Sequence, residues 1–327
     1  MSQPFLEPAR AEALRRRVKQ LQSEHGGSVV STIGDTALVP LAGTAAKGLV
    51  PLLAKLEGQN PAGSAKDRIA LYLIADALER GALTKDTVLV EASSGNTGIS
   101  LAMLGARLGL RVLITVSENT SSERHALIRA FGAELIFTPG ARGTSGAIEK
   151  ARELAQQPGH LWVAQHFNEV NSFAHYETTG AELIRQVRAL GFKRIDAFVA
   201  PSGTSGTLMG VSARLKEAFP GVRVVAVWPK DAIMGIRRPE GDDRPGIYNA
   251  ARIDEIIEVK LEQAMDFVRR VARTEGRLLG PSGGAAVCGA VQTVERLGPS
   301  RDGCVVVLLP DGGERYLSLP AYQLPKS

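Results

Sequence analysis

Cysteine is nearly absent: Cys288 and Cys304 are the only two in 327 residues. Neither belongs to a CxxC, and no His/Cys cluster has ligand spacing, so no disulfide framework and no metal centre is expected. Both lie in apolar runs and read as buried thiols, a usage that suits a reducing compartment. Aromatics are scarce at 5% and form no interleaved basic stripe. The formal net charge of +5 therefore reads as the mild excess of a protein acting on anions, and nucleic acid is not expected as a partner. No run approaches the ~20 apolar residues that span a bilayer. Residues 1–28 lack an apolar core stretch, so neither membrane insertion nor a secretion signal is expected, and the location expected is cytoplasmic.

What is present is ordinary for a globular protein: 44% hydrophobic and 22% charged residues, at a length that suits about two domains. From Pro51 the chain alternates short apolar runs with longer helical patterns. Thr87–Ala92, Arg111–Val116, Glu134–Thr138, Ile195–Ala200, Arg223–Val227 and Cys304–Leu309 are continuous, β-branched runs, as expected for parallel strands covered on both faces. Amphipathic patterns predict helices near 67–80, 97–108, 121–131, 144–157, 173–190, 206–218, 262–275 and 284–297. Thr120 to Glu123 reads as a capping box with Thr120 as N-cap. This alternation predicts an α/β fold with parallel-rich twisted sheets, one built from 87–164 and one from 195–309, with the active site in a cleft beyond the strands' carboxyl ends. Glu7 to His25 reads as a basic amphipathic helix packing on its own protein. The domains expected are 46–165 and 166–327, with residues 1–45 packing on the second.

Four loops carry candidate chemistry. Asn60-Pro61-Ala62-Gly63-Ser64-Ala65-Lys66 ends on a lysine just where a helix begins. A helix N-terminus disfavours a cation and would lower the amine's pKa, as a Schiff-base lysine needs. The segment alone reads equally as a surface lysine. Glu91-Ala92-Ser93-Ser94-Gly95-Asn96-Thr97-Gly98 places hydroxyls, an amide and two glycines between strand and helix, a turn that can hold a carboxylate or phosphate. Ser202-Gly203-Thr204-Ser205-Gly206-Thr207 has the same position and suits a phosphate dianion. Neither is GxGxxG or GxxxxGK[ST], which argues against dinucleotide and nucleoside-triphosphate folds. Gly280-Pro281-Ser282-Gly283-Gly284 is, on its own, a loop.

In this order the segments resemble the cysteine synthase family of fold-type-II pyridoxal-phosphate enzymes, from Thr32 to about Ser318. Thr32-Ile33-Gly34-Asp35-Thr36 is similar to the family's opening, with Asp35 and Ala37 as departures. Asn60 to Arg68 is like its lysine motif, and Ser94 to Gly98 like its asparagine loop, with Ser93 where threonine is usual. Ser205-Gly206-Thr207 is like its phosphate cup, and Gly312 to Ser318 like its C-terminal signature. Gly235-Ile236-Arg237-Arg238, Pro245 to Asn249 and Ala174-His175-Tyr176 are closest to the B-type O-acetylserine sulfhydrylase, also an S-sulfocysteine synthase. Pro281, Gly283 and Pro310-Asp311-Gly312 depart from the pattern.

The resemblance implies two three-layer α/β domains of the tryptophan synthase β type and a homodimer. Lys66 would carry pyridoxal 5′-phosphate covalently, Asn96 would bind its 3′-oxygen, and Gly203, Thr204, Ser205, Gly206 and Thr207 its phosphate. Ser282 would face the ring nitrogen. A serine cannot keep that nitrogen protonated as an aspartate could, so the ring is a weaker electron sink and a good β leaving group must depart as the α-proton is lost. Ser93, Ser94, Gly95, Thr97 and Gln165 (in Gln165-His166-Phe167-Asn168) would bind the substrate, and Arg237 would attract an anionic nucleophile. The reaction implied is β-replacement on O-acetyl-L-serine by sulfide or thiosulfate, through an α-aminoacrylate, giving L-cysteine or S-sulfocysteine. A serine or threonine dehydratase, a cystathionine β-synthase-like enzyme and a silent partner in a sulfur-assimilation complex are the alternatives, and a sulfur-carrier or acetyltransferase partner stays open. Asp67 and Arg68 are expected to pair structurally, His166 to be structural, and His125 and His160 to lie at the surface.

Overall fold

The structure, a computed structural model, describes residues 5–93, 95–241, 244–319 and Tyr322. Along the chain come α1 (Pro8–Glu24), β1 (Leu38–Pro40), β2 (Leu52–Leu56), α2 (Lys66–Glu79), β3 (Val88–Ala92), α3 (Asn96–Leu108) and β4 (Arg111–Ser117). Next are α4 (Ser122–Ala130), β5 (Glu134–Thr138), α5 (Gly143–Leu154), β6 (His160–Trp162) and α6 (Val170–His175), which runs through a π-turn at Tyr176–Gly180 into α7 (Ala181–Ala189). The rest is β7 (Arg194–Pro201), α8 (Gly206–Ala218), β8 (Arg223–Pro229), β9 (Glu255–Val259), α9 (Leu261–Glu275), α10 (Pro281–Leu297) and β10 (Gly303–Leu309).

The chain divides into two units: residues 1–34 with 60–174, and residues 35–59 with 175–327. The first holds a four-stranded, all-parallel sheet in the order β5-β4-β3-β6. One face packs Leu89, Ile114 and Val112 against α1, α2, α3 and α4. The other packs Val88, Val90 and Leu113 against Ala147, Ala151 and Leu154 of α5. Covered on both faces, β3 is buried along its whole length, whereas the edge strand β5 is only partly buried.

The second unit holds a six-stranded sheet, β1-β2-β10-β7-β8-β9, parallel except for the β1–β2 pair. Helices α9 and α10 bury Met265, Val268, Ala286 and Ala290 against Ala54, Val199, Val227 and Val307. Helices α7 and α8 pack on β7 and β8, giving a second three-layer unit.

Two boundaries differ from the sequence reading. Helix α1 belongs to the first unit: Leu14, Val18 and Leu21 join its core, and Arg10 makes a two-pronged bond to the buried Asp76 of α2 at 2.8 and 3.0 Å. Residues 35–59 belong instead to the second unit, because β1 and β2 complete its sheet. Thr120 is not an N-cap either. Ser121 holds that position, and the Thr120 hydroxyl is spent on Ser117 O at 2.9 Å and lies 2.5 Å from His125 Nε2. His125 is thereby half-buried, its ring edge-on to Phe137, rather than a free surface group.

Candidate active site

In the first unit Lys66 opens α2 and Asn96 opens α3. Asp67, fully buried, ties the two helix starts together. Its carboxylate accepts from Ala62 N at 2.6 Å and from the Ser100 hydroxyl at 2.5 Å, and that hydroxyl also lies 2.9 Å from Asn96 O. The loop before Lys66 turns through Gly63 at φ 82°, a conformation that favours glycine. Ser64 Oγ accepts the Lys66 N–H at 3.2 Å. Helix α2 is buried from Asp67 to Ala77, yet its first residue stays half-exposed, and Asn96 is half-exposed at the head of a buried α3 in the same way. Both helix starts thus leave a polar side chain accessible ahead of a buried turn.

The asparagine loop is held from beneath. Ser93 Oγ accepts from the N–H groups of Gly98 at 2.9 Å and Gly95 at 3.2 Å, so this serine shapes the loop and retains only its own proton for a ligand. Ser94 lies outside the described residues. Gly95 is pressed against the buried Arg124 of α4: a Cβ there would come within 2.9 Å of the guanidinium. Thr97 donates to Gln165 Oε1 at 2.5 Å, and Gln165 Nε2 donates to Ala92 O at 3.1 Å. Asn171 Nδ2 holds Gln165 O at 2.9 Å. Beneath this pair lies Glu91, fully buried in β3, whose carboxyl burial pushes up to about 8.

In the second unit the cup runs from β7 into α8. Ser205, at φ 71°, turns the backbone through the left-handed region, which costs a non-glycine residue about 1–2 kcal/mol. That turn leads into the N-terminus of α8, whose first N–H groups have no partner within the helix. The hydroxyls of Ser202 and Ser205 are buried without a partner among the described residues. Unpaired hydroxyls beside a helix N-terminus fit a phosphate dianion. Thr204 Oγ1 faces Gly206 N at 3.5 Å. Gly203 allows close approach, since a Cβ there would sit 3.2 Å from Gly235 O, and a Cβ on Gly235 would in turn meet the Ser282 side chain at 3.6 Å. The cup, the Gly235 turn and Ser282, which is buried in the first turn of α10, are thus neighbours.

Arg237 belongs to this scaffold. Its N–H bonds Ser202 O at 2.7 Å and its Nε bonds Gly203 O at 3.2 Å. Arg238 is neutralised by Glu258 and bonds Pro229 O at 3.1 Å.

A sequence profile described as pyridoxal-phosphate dependent enzyme matches residues 29–311. The chain belongs to this family. Cysteine synthase B of Escherichia coli is 42% identical over 289 residues, 88% of this chain and 93% of that one. Cysteine synthase of Staphylococcus aureus is 40% identical over 304 residues, covering 90% of this chain and 96% of that one. Among solved structures, O-ureido-L-serine synthase superimposes with a TM-score of 0.84 at 37% identity, covering 90% of this chain and 95% of that one. The cofactor of the family is pyridoxal phosphate, and the Ser202–Thr207 cup fits its phosphate.

Sequence reasoning gave no role to three supporting residues. Glu91 sits inside an apolar run, and a carboxyl placed there is the one signal that could have drawn notice. Arg124 and His175 lie on helices and reach their loops only through the fold.

Proposed function

We propose that this member of the pyridoxal-phosphate family is a cysteine synthase of the B type, which replaces the acetate of O-acetyl-L-serine with sulfide to make L-cysteine and accepts thiosulfate to make S-sulfocysteine. The observation that carries the reading is the network joining Lys66–Asp67 to Asn96–Ser100, with Thr97 of the same α3 turn bonded to Gln165. It holds Lys66, Asn96, Thr97 and Gln165 on one frame, which supports the reading. The relatives named cysteine synthase and cysteine synthase B support it.

Bound pyridoxal phosphate supplies an electron-withdrawing ring that acidifies the amino acid's α-C–H and assists loss of its β-substituent. The chain's own residues do the rest. Lys66 Nζ carries the cofactor and, once released by the incoming amino acid, takes the α-proton. Asn96 binds the 3′-oxygen, the first turn of α8 with Thr204, Ser205 and Thr207 binds the phosphate, and Ser282 faces the ring nitrogen. Ser93, Ser94, Gly95, Thr97 and Gln165 receive the substrate carboxylate, which fixes the α-C–H against the lysine. Gln165 must then exchange its contact with Ala92 O for the substrate. Arg237, half-buried with its Nε on the cup, is the guanidinium assigned to an anionic sulfur donor. A cytoplasmic homodimer completes the proposal on the strength of the family resemblance. Among the described residues no helix is long and apolar enough to cross a membrane.

The test is a panel of sulfide, thiosulfate and homocysteine against O-acetylserine and O-phosphoserine, with products identified by mass, in wild type, Lys66→Ala and Arg237→Ala. The proposal expects cysteine from O-acetylserine and sulfide, none from Lys66→Ala, and a selective loss of S-sulfocysteine in Arg237→Ala. Release of an oxo acid and ammonia in place of a sulfur product would instead identify a dehydratase.

A further inference from the structure

One buried acid has no part in the chemistry above. Glu91 lies in β3, between β4 and β6, with no exposed surface. Where β6 ends, Val163 N still bonds Val90 O at 3.2 Å, and the chain then turns sharply at Ala164, whose φ of 54° is left-handed. A non-glycine residue holds that conformation only when its surroundings enforce it. The next residue is Gln165, whose N–H points to Glu91 Oε2 at 3.4 Å. The carboxyl's other oxygen, Oε1, is buried with no hydrogen-bond partner among the described residues. Thus the carboxyl meets the strained turn at the backbone N–H of the residue whose side-chain amide the turn presents.

We propose that Glu91 is the positioning residue for Gln165: its buried carboxyl grips the left-handed turn at Ala164 and so fixes the side-chain amide that receives the substrate carboxylate. This rests on the reading of Gln165 as a carboxylate-binding group. Burial raises the Glu91 pKa to about 8, so near neutral pH the group is a protonated acid. It then puts no negative charge beside an incoming carboxylate. A glutamine at 91 has nearly the same shape, one acceptor and one donor group, and serves in its place.

The experiment measures the dissociation constant of L-alanine, which carries no leaving group, from the change in cofactor absorbance of the holoprotein. Gln165→Ala weakens binding about tenfold, the loss of one hydrogen bond to a charged group. Glu91→Ala weakens it by a similar factor with the cofactor retained, and Glu91→Gln stays close to wild type. Ala164→Gly, added to Glu91→Ala, restores binding, because glycine keeps the left-handed turn without the grip. A role in stability alone would lower the melting temperature and leave the dissociation constant unmoved. Glu91→Asp, which keeps the acid but shortens its reach, carries the same expectation should the alanine variant fail to fold. Unchanged binding in Glu91→Ala or Glu91→Asp beside weakened binding in Gln165→Ala overturns this proposal alone. Unchanged binding in Gln165→Ala overturns the carboxylate reading and this proposal with it.

Discussion

The Nε2 of His175 lies 3.1 Å from Oγ1 of Thr207, and its Nδ1 lies 2.9 Å from Oγ1 of Thr179, with the imidazole fully buried. A neutral imidazole donates from one nitrogen and accepts at the other. If the Thr207 hydroxyl gives its proton to a phosphate, it must accept from Nε2–H, and Thr179 must donate to Nδ1. His175→Ala therefore weakens cofactor binding about tenfold, the loss of one hydrogen bond together with the order it imposes. Fluorescence titration of apoprotein with pyridoxal phosphate reads the change, and an unaltered dissociation constant would show that the pair does not serve the cup.

Glu91 makes stability depend on pH. Its folded value of about 8 lies above the ordinary 4.5. The folded state thus holds the proton more tightly, and the group's contribution is full below about pH 4.5 and is lost as pH rises through about 8. Within that window the slope approaches ~1.4 kcal/mol per pH unit. Urea denaturation of wild type and Glu91→Gln at pH 5, 6, 7 and 8 should give curves that converge at the acid end and diverge steadily toward the alkaline end. Parallel curves would mean that the carboxyl titrates normally.

Lys55 is fully buried within β2 and lies 2.6 Å from Glu182 Oε2, 2.6 Å from Thr36 O and 2.9 Å from Gln186 Oε1. Breaking such a pair from one side leaves an uncompensated charge, at a cost of about 3–5 kcal/mol. Lys55→Met is expected to lose that much by chemical denaturation. Replacing Glu182 by Leu in the same chain is expected to recover much of it, because no buried charge then remains.

Gly284 opposes two effects of known size. Alanine is favoured over glycine in a helix by about 1 kcal/mol. A Cβ here, however, would sit 2.2 Å from Ala264 O of α9, a backbone atom that cannot move aside cheaply. Overpacking of this kind costs about 1–3 kcal/mol and wins. Gly284→Ala should lower the melting temperature; a rise would mean that α9 and α10 are packed less closely.

The chemistry-bearing loops and the central strands were legible because their signals are local. Gly303–Leu309 is apolar throughout, Val88–Ala92 is so apart from Glu91, and the cup motif ends at Thr207 just where α8 has begun. The pieces that escaped owe their place to distant partners. Leu52–Leu56 carries Lys55 in its middle, and nothing nearby announces that Glu182 will neutralise it 127 residues later. Glu255–Val259 carries two glutamates in five residues because it is a sheet edge. Gly280-Pro281-Ser282 reads as a loop, yet Pro281 starts α10, a position where its missing N–H costs nothing. The reach of residues 35–59 into the second unit has no signal in hydrophobic period at all.

The central claim is that the ε-amine of Lys66 carries the cofactor. Reduction of the holoprotein with borohydride, followed by proteolysis and mass mapping, tests it directly. The account predicts a reduced phosphopyridoxyl group on the peptide containing Lys66 and on no other lysine. Label on a different lysine, or a holoprotein whose Lys66 peptide emerges unmodified, would contradict it.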